Sequence, residues 1–242
     1  MDSFVQDHAF TRILSGNMHI HTTGGSYNFS AGDTILIKRN QLSKAFQIPP
    51  ANGEFKSITV FFDQPSLRDY SMENRIAPIV SYQGEPVLLL RSDLLYDSYA
   101  SSLAAYQQGE TNKGLTGLKV KEALMLILHL DKHASALLFD FHEPEKTDLE
   151  KYMNTHFRFN AEIKHFAYLT GRSLATFKRD FAKIFNTSPG SWLQQRRLKE
   201  AHYLIKEKRM KVSEVYPEVG FEDLSHFSFA FKKAFGKSPS LL

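Results

Sequence analysis

The chain has no cysteine in its 242 residues and a single tryptophan. Without thiols there is no disulfide framework, no thiolate-bound metal and no cysteine nucleophile, which fits a reducing compartment. Long apolar runs are missing as well. The best of them, Ala123 to Leu130, is far below a membrane span of about 20 residues. The opening Met1-Asp-Ser-Phe-Val-Gln-Asp7 has neither the basic nor the apolar stretch of a secretory leader, so the expectation is a cytoplasmic protein with no membrane role. Arrangements that carry chemistry are absent too: no Ser/His/Asp arrangement, no helix with a metal-binding His pair and no phosphate-cradling glycine loop. The chain is therefore expected not to be an enzyme, with no catalytic residues, no cofactor and no metal.

What is present is unevenly spread. From Thr147 onward 17 Lys and Arg stand against 10 Asp and Glu, a net of +7, while the preceding 146 residues carry a net of −3. A basic part joined to an acidic one is the pattern of a nucleic-acid reader with an attached non-binding domain. A solvated basic face is the plainer account of the same charge. Between the two parts, Phe141-His-Glu-Pro-Glu-Lys-Thr147 is polar and carries Pro144, so it reads as a linker. The expected organisation is a domain over 1–140, a linker over 141–147 and a second domain over 148–242.

The second domain contains one pattern written twice. The first copy runs from Ile163 through Gly171 and Ser173 to a helix over Leu174 to Phe185, closing at Ser188-Pro189. The second runs from Val212 through Gly220 and Phe221 to a helix over Leu224 to Phe235, closing at Ser238-Pro239. A helix, a turn at a glycine and a second helix make a helix-turn-helix unit that can place one helix in a DNA groove. Phe177, Phe181 and Phe185 recur every four residues and are read as core, because an aromatic stripe at that spacing has to be buried. Trp192 is expected to be buried beside them. Between the copies, Ser191 to Lys206 contains neither Gly nor Pro. As a helix it would be about 24 Å long, at about 1.5 Å per residue. Such a spacer suits two reading helices set one turn of DNA apart, about 34 Å.

The first domain reads differently. Arg12 to Gly16, His19 to His21, Tyr27 to Phe29, Thr34 to Ile37 and Ser57 to Phe62 are short apolar or alternating runs. They are separated by Gly24-Gly25, Ala31-Gly-Asp33 and Pro49-Pro50, which predicts a small antiparallel barrel or sandwich. From Asp93 the period becomes helical, with Leu94, Leu95, Tyr99, Leu103 and Tyr106 on one helix. A turn bracketed by Gly109 and Gly114 follows, then an apolar helix over Leu118 to Leu130.

Several spaced features in the C-terminal half give the chain a resemblance. These are Ala167-x3-Gly171-x-Ser173, Arg179-x-Phe181, Ser188-Pro189, Trp192-Leu193-x3-Arg197-Leu198-x2-Ala201, Gly220-Phe221-x3-His226-Phe227 and Phe231-Lys-Lys-x-Phe235-Gly236-x-Ser238-Pro239. Residues Leu149 to Pro239 resemble the DNA-binding domain of the AraC/XylS family of bacterial transcription regulators. The N-terminal half resembles the cupin-type regulatory domain many of them carry, on the strength of Ser15-Gly16 and Phe29-x-Ala31-Gly32-Asp33. The implied fold class is α+β: a small antiparallel cupin-like β-barrel with a helical hairpin, then an all-α domain of two helix-turn-helix units joined by a linker helix. The implied function is sequence-specific binding to a bipartite site in double-stranded promoter DNA, on the nucleoid, with activation through RNA polymerase.

The resemblance places Ala175, Lys178 and Arg179 on the groove-facing side of the first reading helix, with Thr176 near the DNA backbone. Lys and Arg suit guanine O6 and N7, and Ala can touch a thymine methyl. The same face of the second unit offers Leu224, Ser225, His226 and Ser228, with Phe229 where many members have arginine. His226 can equally be a structural residue near Phe227. Tyr216-Pro217 is a further departure, since an interior proline removes a helical hydrogen bond and predicts a short or bent helix.

For the N-terminal domain three readings stay open. His19 and His21 share one face of a strand, as metal ligands would, but no third or fourth ligand follows at short spacing. A barrel lined by Phe29, Ile35, Ile37, Phe46, Phe55 and Phe61 would suit a small-molecule effector, with Arg12, Lys38 or Arg39 for an anion, or would simply be core. The Leu118 to Leu130 helix would pair with that of a second chain through Leu118, Leu124, Ile127 and Leu128, giving a homodimer, or would serve its own core. A regulatory protein is the other candidate partner. The rival from another class is a cupin-type small-molecule-binding protein or enzyme whose helical appendage binds protein. Steep loss of binding with rising salt separates DNA reading from that alternative, because phosphate contacts release counterions.

Overall fold

A computed structural model describes residues 3–77, 81–103, 106 and 113–242. They divide into two compact units: Val5–His142, and Glu143–Leu242 together with Ser3 and Phe4.

The first unit takes Val5 of β1 (Phe4–Val5) and contains β2 (His8–Ser15), β3 (Asn17–Thr22), β4 (Ser26–Ser30), β5 (Thr34–Ile37), β6 (Gln41–Ile48), β7 (Lys56–Phe62) and β8 (Val87–Leu89). Its helices are α1 (Gln64–Glu73), α2 (Leu94–Leu103), α3 (Lys113–Leu130) and α4 (Ala134–Leu138). The strands make two four-stranded sheets, in the orders β1-β6-β3-β4 and β7-β2-β5-β8. The expected barrel is thus corrected. No pairing among the described strands closes one sheet onto the other, and the edges remain edges. The short β8 meets only β5, with Leu36 opposite Leu88.

Burial explains the sheet patterns. On β3 the side chains alternate: Met18, Ile20 and Thr22 are buried, while His19 and His21 point the other way. Ile13, Met18, Ile20, Phe29, Ile35 and Val87 form one cluster between the two sheets. The sheet containing β2 and β5 is covered on its other face as well, where Phe10, Leu36 and Phe62 meet Leu67, Tyr96, Tyr99, Leu124, Ile127 and Leu138 from the helices. With both faces of that sheet covered, six successive residues of β2 are buried, the polar His8, Thr11 and Arg12 among them.

Elements absent from the sequence reading include β6 and α1, and α3, read as Leu118 to Leu130, begins earlier. β6 sets Leu42, Ala45, Phe46 and Ile48 among polar residues without strict alternation, yet pairs with β3 along its length. Helix α1 is announced by Asp63, whose carboxylate accepts the Ser66 amide at 2.8 Å, and by a proline in its first turn. Helix α3 starts at Lys113, so Gly114 lies inside its first turn rather than ending a loop. The expected turn partner Gly109 lies outside the described residues.

The second unit is all helical: α5 (Leu149–His156), α6 (Ile163–Leu169), α7 (Leu174–Phe185), α8 (Pro189–Lys206), α9 (Val212–Glu218) and α10 (Leu224–Phe235), followed by a 3-10 turn over Pro239–Leu241. No helix among the described residues is long and apolar enough to cross a membrane.

Candidate nucleic-acid interface

The two helix-turn-helix units are built by the same local chemistry. Helices α6 and α9 have seven residues each, and α7 and α10 twelve each. The turn after α6 is closed by Gly171 N donating to Tyr168 O (2.9 Å) and Arg172 N to Ala167 O (3.0 Å). After α9, Gly220 N donates to Pro217 O (3.2 Å) and Phe221 N to Tyr216 O (2.9 Å), the same pair of bonds at the same spacing. Both glycines have positive φ, 64° and 93°. Both are also pressed against backbone: a Cβ on Gly171 would stand 2.5 Å from Lys146 N, and one on Gly220 2.6 Å from Arg158 O. Two independent constraints therefore demand glycine at each place.

Pro217 shortens nothing, since α9 equals α6 in length. Its N-cap is Lys211, which makes Pro217 the sixth helical residue. The proline sits where the helix is already ending, and its carbonyl accepts the Gly220 amide of the closing turn.

The reading helices start on matched caps. Ser173 Oγ accepts the Thr176 amide at 3.2 Å, and an Asp223 carboxylate oxygen accepts the His226 amide at 2.6 Å. Each ends on a left-handed residue, Asn186 (φ 52°) or Gly236 (φ 74°). Phe177 and Phe181 in α7, and Phe227 and Phe231 in α10, are fully buried. The spacer α8 then supplies one ring to each unit. Trp192 lies 5.7 and 4.7 Å from the rings of Phe181 and Phe185. His202 lies 6.1 and 4.8 Å from those of Phe231 and Phe235. Trp192 is half-buried rather than buried as expected. Arg197, on the same helix, donates to Phe157 O and Phe159 O, both at 2.8 Å, and burial lowers its pKa to about 10.

With the stripe at helix positions four and eight buried, helical periodicity fixes what faces out. In α7, Ala175, Lys178 and Arg179 are exposed and Thr176 is half-exposed. The Arg179 side chain is 66% exposed and its Nε lies 3.7 Å from Asp180, which is itself held by Arg172 at 3.2 Å. In α10, Leu224, Ser225 and His226 are exposed and Ser228 is half-exposed. The His226 ring packs 5.7 Å from Phe221, so its structural neighbour is that residue rather than Phe227. Sequence reasoning left out Leu174, Ala182 and Lys183 on the exposed side of α7, and Lys232 and Lys233 on that of α10. The offset of each from the buried phenylalanines was the signal that would have found them.

In the first unit the candidate anion-binding side chains already have partners. Arg12 pairs with Asp97 and donates to Gly32 O and to Thr34 Oγ1 (2.8 Å). Arg39 is buried and donates to Asp140 O and His142 O, at 3.2 and 3.3 Å. Lys38 lies 3.3 Å from an Asp140 carboxylate oxygen. Burial works against the Asp140 charge. Hydrogen bonds from His142 and from the Tyr82 amide, with the nearby Lys38, outweigh it and bring the pKa to about 2. Of the residues expected to line a lumen, Phe29 and Ile35 are core, while Phe46 and Phe61 fall on the exposed side of their strands, Phe46 opposite His19 and Phe61 next to the buried Phe62. His19 and His21 lie on the outer face of β3, and among the described residues no three His, Cys, Asp or Glu are grouped to hold a metal. On α3, Leu124 and Ile127 are buried in the unit's own core and Leu128 is half-buried, so they leave little for a second chain. Leu118 remains 65% exposed, and Leu115 and Met125 are exposed with it.

A chain that carries a basic pair of helix-turn-helix units and, separately, a two-sheet unit belongs to the class of DNA-binding transcription regulators. The chain belongs to the AraC/XylS family, within the group that carries the ExsA N-terminal regulatory domain: that domain's family model matches residues 8–139, and a helix-turn-helix domain model matches 166–242. Among its relatives, the virulence regulon transcriptional activator VirF of Yersinia enterocolitica is 29% identical over 240 residues, covering 94% of this chain and 86% of that protein. The thermoregulatory protein LcrF of Yersinia pestis is 25% identical with the same coverage. The transcriptional regulator ExsA of Pseudomonas aeruginosa is 28% identical over 238 residues, covering 94% of this chain and 83% of that protein.

Proposed function

We propose that this protein is a transcription activator that binds a bipartite promoter site, one helix-turn-helix unit to each block, and recruits RNA polymerase in the bacterial cytoplasm. The observation that carries the bipartite reading is the repeated scaffold, with two twelve-residue helices presenting equivalent faces from either end of one spacer. At 18 residues that spacer is about 27 Å long, a length suited to blocks about one DNA turn apart. Ala175, Thr176, Lys178 and Arg179 form the reading surface of the first unit, and Leu224, Ser225, His226 and Ser228 that of the second. VirF, named as an activator, supports the sign of regulation.

The N-terminal unit acts as the control element, through a second copy, a regulatory protein or a small effector. A homodimer is favoured by the exposed Leu115, Leu118 and Met125, which lie three and seven residues apart on one face of α3. Selection of the purified chain against a random duplex pool near physiological salt tests the function. Two enriched blocks about one turn apart are expected, with affinity falling steeply as salt rises. Binding that ignores both sequence and salt would sink the reading.

A further inference from the structure

Phe229 is the sixth residue of α10, the place Arg179 occupies in α7, and it is 72% exposed. It has no part in its own core, whose stripe is completed by Phe227, Ala230 and Phe231. Its surroundings on the exposed face are Ser225 one turn earlier and Lys232 and Lys233 within the next turn, with Leu224, also exposed, at the helix start. We propose that the second unit reads thymine, through contact of the Phe229 ring with the 5-methyl group in the major groove. The proposal rests on the DNA-reading function above and specifies the base-edge chemistry that this unit takes.

A phenyl ring has no donor or acceptor for base edges, and the apolar feature that the major groove offers is the thymine methyl. Ser225 is small enough to let the ring approach, and the two lysines lie where phosphates would flank such a contact. Burying a phenyl ring that stands 72% exposed is favourable wherever a partner removes it from water. The equivalence with Arg179 names that partner as DNA. The first unit would then discriminate through charged groups suited to guanine, and the second through apolar contact with thymine.

The test uses the full chain and the duplex recovered by selection, with each thymine of the two blocks replaced singly by uracil, which lacks the methyl. At one or more thymines of a single block the wild-type affinity should fall about fourfold, the worth of one buried methyl at about 0.8 kcal/mol. Phe229→Ala should bind the thymine duplex more weakly by at least as much and no longer distinguish uracil from thymine. Phe229→Arg should move the selected base at that position toward guanine. Arg179→Ala should leave the uracil effect intact, which separates the two units.

Equal uracil losses for wild type and Phe229→Ala at every position would overturn the proposal. So would a Phe229→Ala protein that keeps its affinity and uracil sensitivity but loses transcription from the same promoter, because the ring would then face polymerase. If selection retains no duplex at all, the DNA-reading function itself fails and the proposal goes with it. A single enriched block insensitive to uracil leaves that function standing and removes only the thymine contact.

Discussion

The two helix-turn-helix units differ where they meet solvent and agree where each packs on its own core. Positions four and eight of the reading helix are Phe177 and Phe181 in one and Phe227 and Phe231 in the other, all fully buried. Positions two, five and six are Ala175, Lys178 and Arg179 in the first, but Ser225, Ser228 and Phe229 in the second. Packing therefore holds the scaffold constant and leaves the reading surface free to vary, from charged to polar and apolar. The turns show the same division. Both keep a left-handed glycine pressed on backbone, yet the second has three residues, Phe221, Glu222 and Asp223, between glycine and reading helix where the first has two, Arg172 and Ser173.

The largest effects probe whether the units are packed separately. Phe181→Ala and Phe231→Ala should each cost about 3–5 kcal/mol, as expected for deleting a fully buried ring. Trp192 is the only tryptophan and packs on Phe181 and Phe185, so its fluorescence reports the first unit. Phe181→Ala should lower the fluorescence midpoint much more than Phe231→Ala does, while far-UV circular dichroism registers both. Equal falls in fluorescence would break the division and make α8 the coupler of one cooperative domain. Next come the glycines. Gly171→Ala and Gly220→Ala should each cost about 2–4 kcal/mol, combining a left-handed penalty with overlap against neighbouring backbone. A variant that melts like wild type would mean the segment at Glu145 and Lys146, or at Arg158, yields to the new methyl.

The third effect is on reading rather than folding. Arg179→Ala should weaken binding by about 1–3 kcal/mol and relax base preference in one block only. The check is repeated selection with the variant, and an unchanged preferred sequence would remove Arg179 from the groove.

How far the sequence foretold this depends on which physical force sets each element. The helices of the C-terminal unit were legible because their limits are local: Gly171 and Gly220 as turns, Ser188-Pro189 as a stop, and a four-residue aromatic period. α7 and α10 fall over the residues read for them. The N-terminal unit was legible as antiparallel strands followed by helices, but the sequence left open whether the strands close into a barrel or stack as two open sheets. Closure depends on which strands pair across the sheet, and no local pattern in β6 or β8 states that. The faces of α3 stayed undecided between a second chain and the unit's own core for the same reason. Leu124 and Ile127 look like spare apolar surface in one dimension, and only the neighbouring Phe10, Leu67 and Tyr96 show that the surface is used. The site residues fell between these cases. Helical period puts Lys178 and Arg179 on the exposed side, whereas the fate of Arg12 and Arg39 turned on residues 85 and 101 positions away.

The smallest expected effect bears on whether the two scaffolds are interchangeable. Asn186 and Gly236 end their helices at the same position with φ of 52° and 74°, and each donates its amide four residues back, to Ala182 O and Lys232 O. Asparagine tolerates the left-handed region better than other non-glycine residues do, and nothing lies within 4 Å of where a Cβ on Gly236 would stand. Gly236→Asn should therefore cost less than about 1 kcal/mol and leave DNA binding unchanged, whereas the same change at Gly220 should unfold the turn, because its Cβ would meet Arg158 O at 2.6 Å. Thermal melting of the two variants decides the matter. A Gly236→Asn protein destabilised as much as Gly220→Asn would mean that the C-terminal end of α10 is held by close packing as well as by conformation, and that the second unit is not a copy of the first at its exit.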